Sequence, residues 1–139
     1  MSQKRFYFDT SIWLDFLENR NEPNFPKSEW VKALVEKITR EESKIILSDT
    51  NILELECVGC SRYEIEDLFG HLKQRIVYVE SKENQIGKAK DLSAKRKIPK
   101  RDALHAILAR DNHAFLITFD EHFKELADIL KSHRTDEFI

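Results

Sequence analysis

Four short apolar runs punctuate the chain: Phe6 to Phe8, Ile45 to Leu47, Ile76 to Val79 and Ala114 to Ile117. Each is too short for a helix and rich in aromatic or β-branched residues, as a buried strand requires. Between them, apolar residues recur every three or four positions. Ile12, Trp13, Leu14, Phe16 and Leu17 mark a first helix. Trp30, Val31, Leu34, Val35 and Ile38 mark a second, with Ser28 as its expected N-cap and Lys32, Glu36, Lys37 and Arg40 on its other face. Ser48 or Asp49 caps a third helix through Ile52, Leu53, Leu55 and Val58, and Ser61 caps a fourth through Ile65, Leu68, Phe69 and Leu72. Ser81 opens a polar fifth that Pro99 ends, and Lys100 to Arg110 reads as a sixth. Phe123, Leu126, Ile129 and Leu130 predict a last helix, and Asp136 to Ile139 a short edge strand or a frayed tail. The Asn19 to Pro26 segment reads as the least constrained loop.

Strands alternating with helices specify an α/β domain, a layered sandwich with a central, mainly parallel sheet of four or five strands. The 139 residues suit one domain, and no linker or internal repeat divides them. The formal net charge of -2 does not mark a polyanion binder, although local patches matter more than the sum. No apolar run approaches the ~18 residues that span a bilayer. The N-terminus lacks the apolar region of a signal peptide, so the expected compartment is the cytoplasm.

The chemistry lies in acids placed at strand ends. Asp9 follows the first strand and Asp120 the fourth, each before a helix; in parallel sheets that edge is where sites are built. Taken singly, Asp9 or Thr10 is explained as an N-cap, and Asp102, in the first turn of the sixth helix, by the helix dipole. Glu54 and Glu56 stand in a largely apolar helix, where an unpaired carboxylate is costly, and periodicity does not choose between them. Two ionised carboxylates at about 5 Å repel by about 3 kcal/mol at an effective dielectric near 20, so a converging set takes up protons or binds a cation. Oxygen ligands favour Mg²⁺ or Mn²⁺, which serve phosphoryl transfer. Thr10, Ser11 and Thr118 have hydroxyls placed to orient Asp9 and Asp120. His105, one turn beyond Asp102, is a general base or, more commonly, a packing residue. Lys88, Lys90, Lys95, Arg96, Lys97, Lys100 and Arg101 precede Asp102; Lys100 and Arg101 are best placed for phosphate, and a solvated face is the plain alternative. Cys57 and Cys60 form a CxxC at the end of a helix beside Gly59, with no second pair to complete a zinc site.

The segments FDTSIWLDFLE, SDTNILELE, PKRDALHAILAR and LITFDEHF, in this order and spacing, resemble the PIN-domain family, and within it the VapC-type ribonuclease toxins. The resemblance runs from about Phe6 to Leu130. It implies a Mg²⁺- or Mn²⁺-dependent endoribonuclease with Asp9, Glu54, Asp102 and Asp120 around the metal, thereby choosing Glu54 over Glu56. Thr118 matches the hydroxyl of the family's T-x-D turn. It also implies an RNA substrate, a homodimer and a cognate antitoxin that reaches into the acidic site. The family's C-terminal strand is not evident in the sequence. Competing readings are a PIN nuclease of RNA processing, a PIN fold that only binds, and a phospho-acceptor receiver domain. The receiver needs an Asp ending strand three, where Glu80 stands. A dehalogenase-type phosphatase needs D-x-D where Asp9 is followed by Thr10 and Ser11.

Overall fold

In the computed structural model, which describes residues 3–139, five parallel strands form one sheet in the order β3-β2-β1-β4-β5. The strands are β1 (Arg5–Phe8), β2 (Lys44–Ser48), β3 (Ile76–Val79), β4 (Phe115–Ile117) and β5 (Ser132–His133). The helices are α1 (Thr10–Glu18), α2 (Lys27–Arg40), α3 (Asp49–Cys57), α4 (Arg62–Leu72), α5 (Glu83–Arg96) and α6 (Lys100–Asp111). Strand alternation divides the apolar residues between two cores. Phe6, Phe8, Ile45, Leu47 and Ile117 pack with α1 to α4, whereas Tyr7, Ile46 and Leu116 pack with α5 and α6. This is the expected three-layer sandwich.

The order of strands excludes the receiver reading, whose doubly wound sheet runs 2-1-3-4-5. Here the order reverses between β1 and β4. Ligand crevices in such sheets open at that point, beyond the carboxyl ends of the strands. The β1–β4 register pairs Phe8 with Ile117, and the Asp9 amide donates to the Ile117 carbonyl at 3.1 Å. Asp9 and Thr118 therefore leave the sheet side by side.

Five local expectations are corrected. Helix α2 begins at Lys27 after Pro26, so Ser28 lies inside it; the side chain of Asn21 accepts from the Ser28 amide at 2.9 Å. Segment 19–26 is consequently well anchored, with Glu22 and Phe25 exchanging backbone hydrogen bonds at 3.0 and 2.9 Å. Ser81 does not cap α5, which begins at Glu83 after Lys82; its hydroxyl instead donates to Asp49 at 2.9 Å. After Asp120 the chain forms a 3₁₀ turn, Glu121–Leu126, rather than an α-helix, since it must return to the sheet at Ser132. The edge strand is Ser132–His133, not the terminal four residues, and two half-buried polar residues carry no strand signal. Phe138 beyond it packs edge-on against Phe6 at 5.2 Å.

Leu47 is fully buried in the larger core. Leu47→Ala is expected to lower the unfolding free energy by about 2–5 kcal/mol, measured by denaturant titration.

Candidate active site

Asp9 and Asp120 are N-caps, Asp102 stands in the first turn of α6, and Glu54 lies further along α3. Asp9 is the N-cap of α1: its Oδ1 accepts from the Ser11 amide at 2.7 Å, the Ser11 hydroxyl at 2.5 Å and the Ile12 amide at 3.2 Å. Its Oδ2 accepts from the Thr118 hydroxyl, which itself accepts from the Asp120 amide at 3.0 Å. Thr118 thus joins the two strand-end acids, although the strand ends at Ile117 and Thr118 is buried while Asp120 is exposed. Asp9 is only 4% exposed, yet both of its carboxylate oxygens accept hydrogen bonds. The capping role and placement in the cleft are the same fact.

Glu54 projects from α3. Its Oε1 accepts from His105 Nε2 at 2.5 Å and from the Thr10 hydroxyl at 3.1 Å. Behind it runs a buried chain of polar groups. His105 Nδ1 lies 2.6 Å from the Tyr7 hydroxyl, which lies 2.8 Å from the Ser48 hydroxyl. Ser48 donates to Asn51 Oδ1 at 3.1 Å, and Asn51 Nδ2 donates to Thr10 at 3.1 Å. The chain returns to Glu54, a closed ring drawn from β1, β2, α1, α3 and α6. His105 is 2% exposed with both ring nitrogens engaged, so it is a packing residue that holds Glu54 rather than a base facing solvent. Burial works against the Glu54 carboxylate, but the His105 hydrogen bond and charge, the Thr10 hydrogen bond and the Arg101 charge outweigh it and hold its pKa below the ordinary value. Burial pushes the Tyr7 hydroxyl well above its ordinary range, so it stays protonated.

Glu56 is exposed, and α3 is not apolar all round: Leu53 and Val58 are 53% and 59% exposed, and Leu55 alone is fully buried among its apolar residues. The cost expected for any carboxylate on this helix therefore applies to Glu54 only, and partners meet it.

Asp9, Glu54, Asp102 and Asp120 line one cleft of about 130 Å³ together with Thr10, Ser11 and His105. Asp102, in the first turn of α6, has its pKa raised from 3.8 to about 6. Burial is the main cause; the charges of Asp120, Asp9 and Glu54 add to it, and His105 opposes it. Lys100 and Arg101 are exposed, two residues and one residue before Asp102. Arg96, by contrast, is bidentate to Asp128 at 2.7 Å and is committed elsewhere.

No three His, Cys, Asp or Glu side chains among the described residues stand close enough to hold a metal ion as they are. The donor set still fits one. It is all oxygen, and Asp102 is driven toward its neutral form by burial and its acidic neighbours, a penalty that a hard divalent cation relieves. The CxxC offers no such site: both cysteines are free, Cys57 is exposed and Cys60 packs on the larger core. Sequence reasoning missed Tyr7, Ser48 and Asn51. Their signal, polar groups beside strand ends, is the ordinary signal of caps.

A parallel sheet carrying four carboxylates at its switch point defines a class of acid-site α/β proteins, and comparison with known proteins names the family. The family model for the PIN domain matches residues 6–129. The chain belongs to the PIN-domain family. No curated protein matches the sequence. Among solved structures, a chain of VapBC2 from Rickettsia felis bound to a DNA fragment from its promoter is 18% identical. That match covers 94% of this chain and 98% of the other, with a TM-score of 0.68. A chain of a toxin–antitoxin complex from Klebsiella pneumoniae is also 18% identical, covering 94% and 97%, with a TM-score of 0.64. FitAcB from Neisseria gonorrhoeae is 17% identical over 93% and 95%, with a TM-score of 0.53.

Two outcomes are expected. In metal-free protein the Asp102 pKa is higher folded than unfolded, so its contribution to stability is complete below pH 3.8 and is lost as pH rises to about 6. Asp102→Asn removes that loss, and above pH 6 the variant should exceed the wild type by about 1–2 kcal/mol in EDTA after allowance for solvent screening. Thermal or urea unfolding across that window checks both sign and size. Tyr7→Phe leaves the Ser48 hydroxyl and His105 Nδ1 short of a partner, and should cost about 1–3 kcal/mol in the same assay.

Proposed function

We propose that the chain is a Mg²⁺- or Mn²⁺-dependent endoribonuclease and the toxin of a VapBC-type toxin–antitoxin pair. The observation that carries the reading is the convergence of Asp9, Glu54, Asp102 and Asp120 on one cleft in a PIN-domain chain. The antitoxin is supported by the fold neighbours from R. felis and K. pneumoniae, which are chains of toxin–antitoxin assemblies.

The four carboxylates would hold the ion. When bound, it would supply Lewis-acid polarisation of the scissile phosphate and acidify an attacking water. The chain's own part is preorganisation. The N-terminus of α1, Ser11 and Thr118 fix Asp9. His105 and Thr10 fix Glu54 through a single oxygen, and among the described residues Oε2 accepts no hydrogen bond. Asp102 makes no side-chain hydrogen bond among the described residues and sits where a proton or a cation is needed. Lys100 and Arg101 lie at the rim of that cleft's helix, where they would meet the RNA backbone. A nuclease of RNA processing would use the same residues, and the presence of a partner that inhibits cleavage distinguishes the toxin.

The test is cleavage of single-stranded RNA by purified protein in Mg²⁺ or Mn²⁺ against EDTA. Asp102→Asn is the cleaner variant, because Asp9→Asn also puts an amide donor in place of an oxygen that accepts hydrogen bonds from Ser11 or Thr118. Metal-dependent cleavage that falls at least ~100-fold in Asp102→Asn is expected, as for the loss of one preorganised electrostatic group. Absence of cleavage by folded wild type on tRNA, rRNA and varied single strands sinks the reading in favour of a binding module.

A further inference from the structure

Beside the acid cleft opens a second, larger cavity of about 680 Å³, between the end of α1, segment 19–27 and Phe119. Ser11 and Asp120 line both, so the two adjoin. Its volume falls within the ~300–1,000 Å³ of small-ligand sites. Among the described residues Phe119 is the one aromatic side chain in its lining, and Phe119 belongs to a cluster that extends away from the cavity. Phe119 meets Phe25 edge-on at 5.2 Å, Phe25 meets Trp30 at 5.0 Å, and the Arg134 guanidinium lies 4.9 Å from the Phe25 centroid and 5.6 Å from that of Phe119. The opposite side is polar, and its charges are already paired: Arg20 with Asp15 at 3.1 Å and Lys27 with Glu22 at 2.9 Å. Segment 19–26 is anchored by Asn21 on the Ser28 amide, so this wall exists without a ligand.

That charge balance selects among occupants. A phosphate chain needs free cations, and a basic peptide needs unpaired acids. Apart from Asp120, whose charge belongs to the acid cleft, the walls offer neither in excess. They offer an aromatic face with amide, guanidinium and carboxylate edges. An uncharged, flat, hydrogen-bonding group matches this, and unpaired nucleobases are recognised in that manner. We propose that this cavity seats an unpaired RNA base flanking the scissile phosphate, stacked on Phe119, and so sets sequence preference. The proposal rests on the ribonuclease reading and names the part of the substrate that its neighbouring cavity receives.

The experiment measures binding in EDTA, where cleavage plays no part. Single-stranded hexaribonucleotides of each base, an abasic hexamer and a hexa-arginine peptide are titrated against wild type, Phe119→Ala, Phe119→Leu and Phe119→Tyr. Emission from Trp30 in the cluster reports occupancy, and circular dichroism checks folding. At least one base-bearing hexamer should bind the wild type roughly tenfold or more tighter than the abasic one. Phe119→Leu, which keeps an apolar side chain without a π face, should abolish the difference, and Phe119→Tyr should retain it. Equal binding of base-bearing and abasic RNA, a difference that survives Phe119→Leu, no RNA binding, or capture of the peptide alone would each overturn the proposal. Failure of the ribonuclease reading registers separately, as absence of metal-dependent cleavage.

Discussion

The Thr118 hydroxyl, donating to Asp9 and accepting from the Asp120 amide, is the contact on which the rest of the site depends. It exists because β1 and β4 are adjacent and in register, with Phe8 opposite Ile117. A one-residue slip would reverse every side chain on one strand, sending apolar groups to the wrong core and separating Thr118 from Asp9. The two cores therefore enforce the site: Phe6 and Phe8 are committed to one, and Tyr7 to the other. The buried Asp9 is the point at which fold and chemistry become inseparable. Its carboxylate satisfies the first amides of α1, so the residue that would hold a cation also starts the helix.

The ring from Glu54 through His105, Tyr7, Ser48, Asn51 and Thr10 has a similar double character. Tyr7 belongs to the most central strand, and its hydroxyl reaches His105 on α6 and Ser48 at the end of β2. Every member is hydrogen-bonded, and such networks rigidify when fully satisfied. On the proposed reading, carboxylates that would meet a metal would draw that rigidity from side chains behind them. The helices carrying Glu54 and Asp102 are tied to each other through the hydrogen bond from His105 to Glu54.

Much of this was legible in the sequence, and the reasons are local. Apolar runs bounded by polar residues located β1 to β4; in β1 and β2 a strand buried on both faces leaves a continuous signal, and β3 keeps an apolar run although it is only half-buried. Asp9, Glu54, Asp102 and Asp120 were named in advance, and the fold does bring all four to one cleft. The failures are equally physical. Strand β5 has two half-buried polar residues and rests on register with β4, which no local pattern encodes. The segment after Asp120 has helical spacing, but the distance to the sheet edge overrides it. Segment 19–26 has the composition of a free loop, yet Asn21 and a backbone bridge between Glu22 and Phe25 hold it. Periodicity did not separate Glu54 from Glu56, because partners from α1 and α6 decide the matter.

An acidic cluster of this kind sets stability against readiness. Four carboxylates around one cleft repel, and the protein meets the repulsion unevenly. Asp9 and Glu54 are neutralised locally by donors, whereas Asp102 is left with burial and like charge. A fold selected only for stability would replace Asp102 with a neutral residue, since burial and its acidic neighbours outweigh what His105 gives its charge. Keeping it concentrates the destabilisation at a single group on the rigid first turn of α6. A cation entering the cleft would relieve that one penalty without requiring the ring behind Glu54 or the cap on Asp9 to rearrange. On the reading proposed above, uneven neutralisation would let a well-packed site keep one group in readiness for a charged guest.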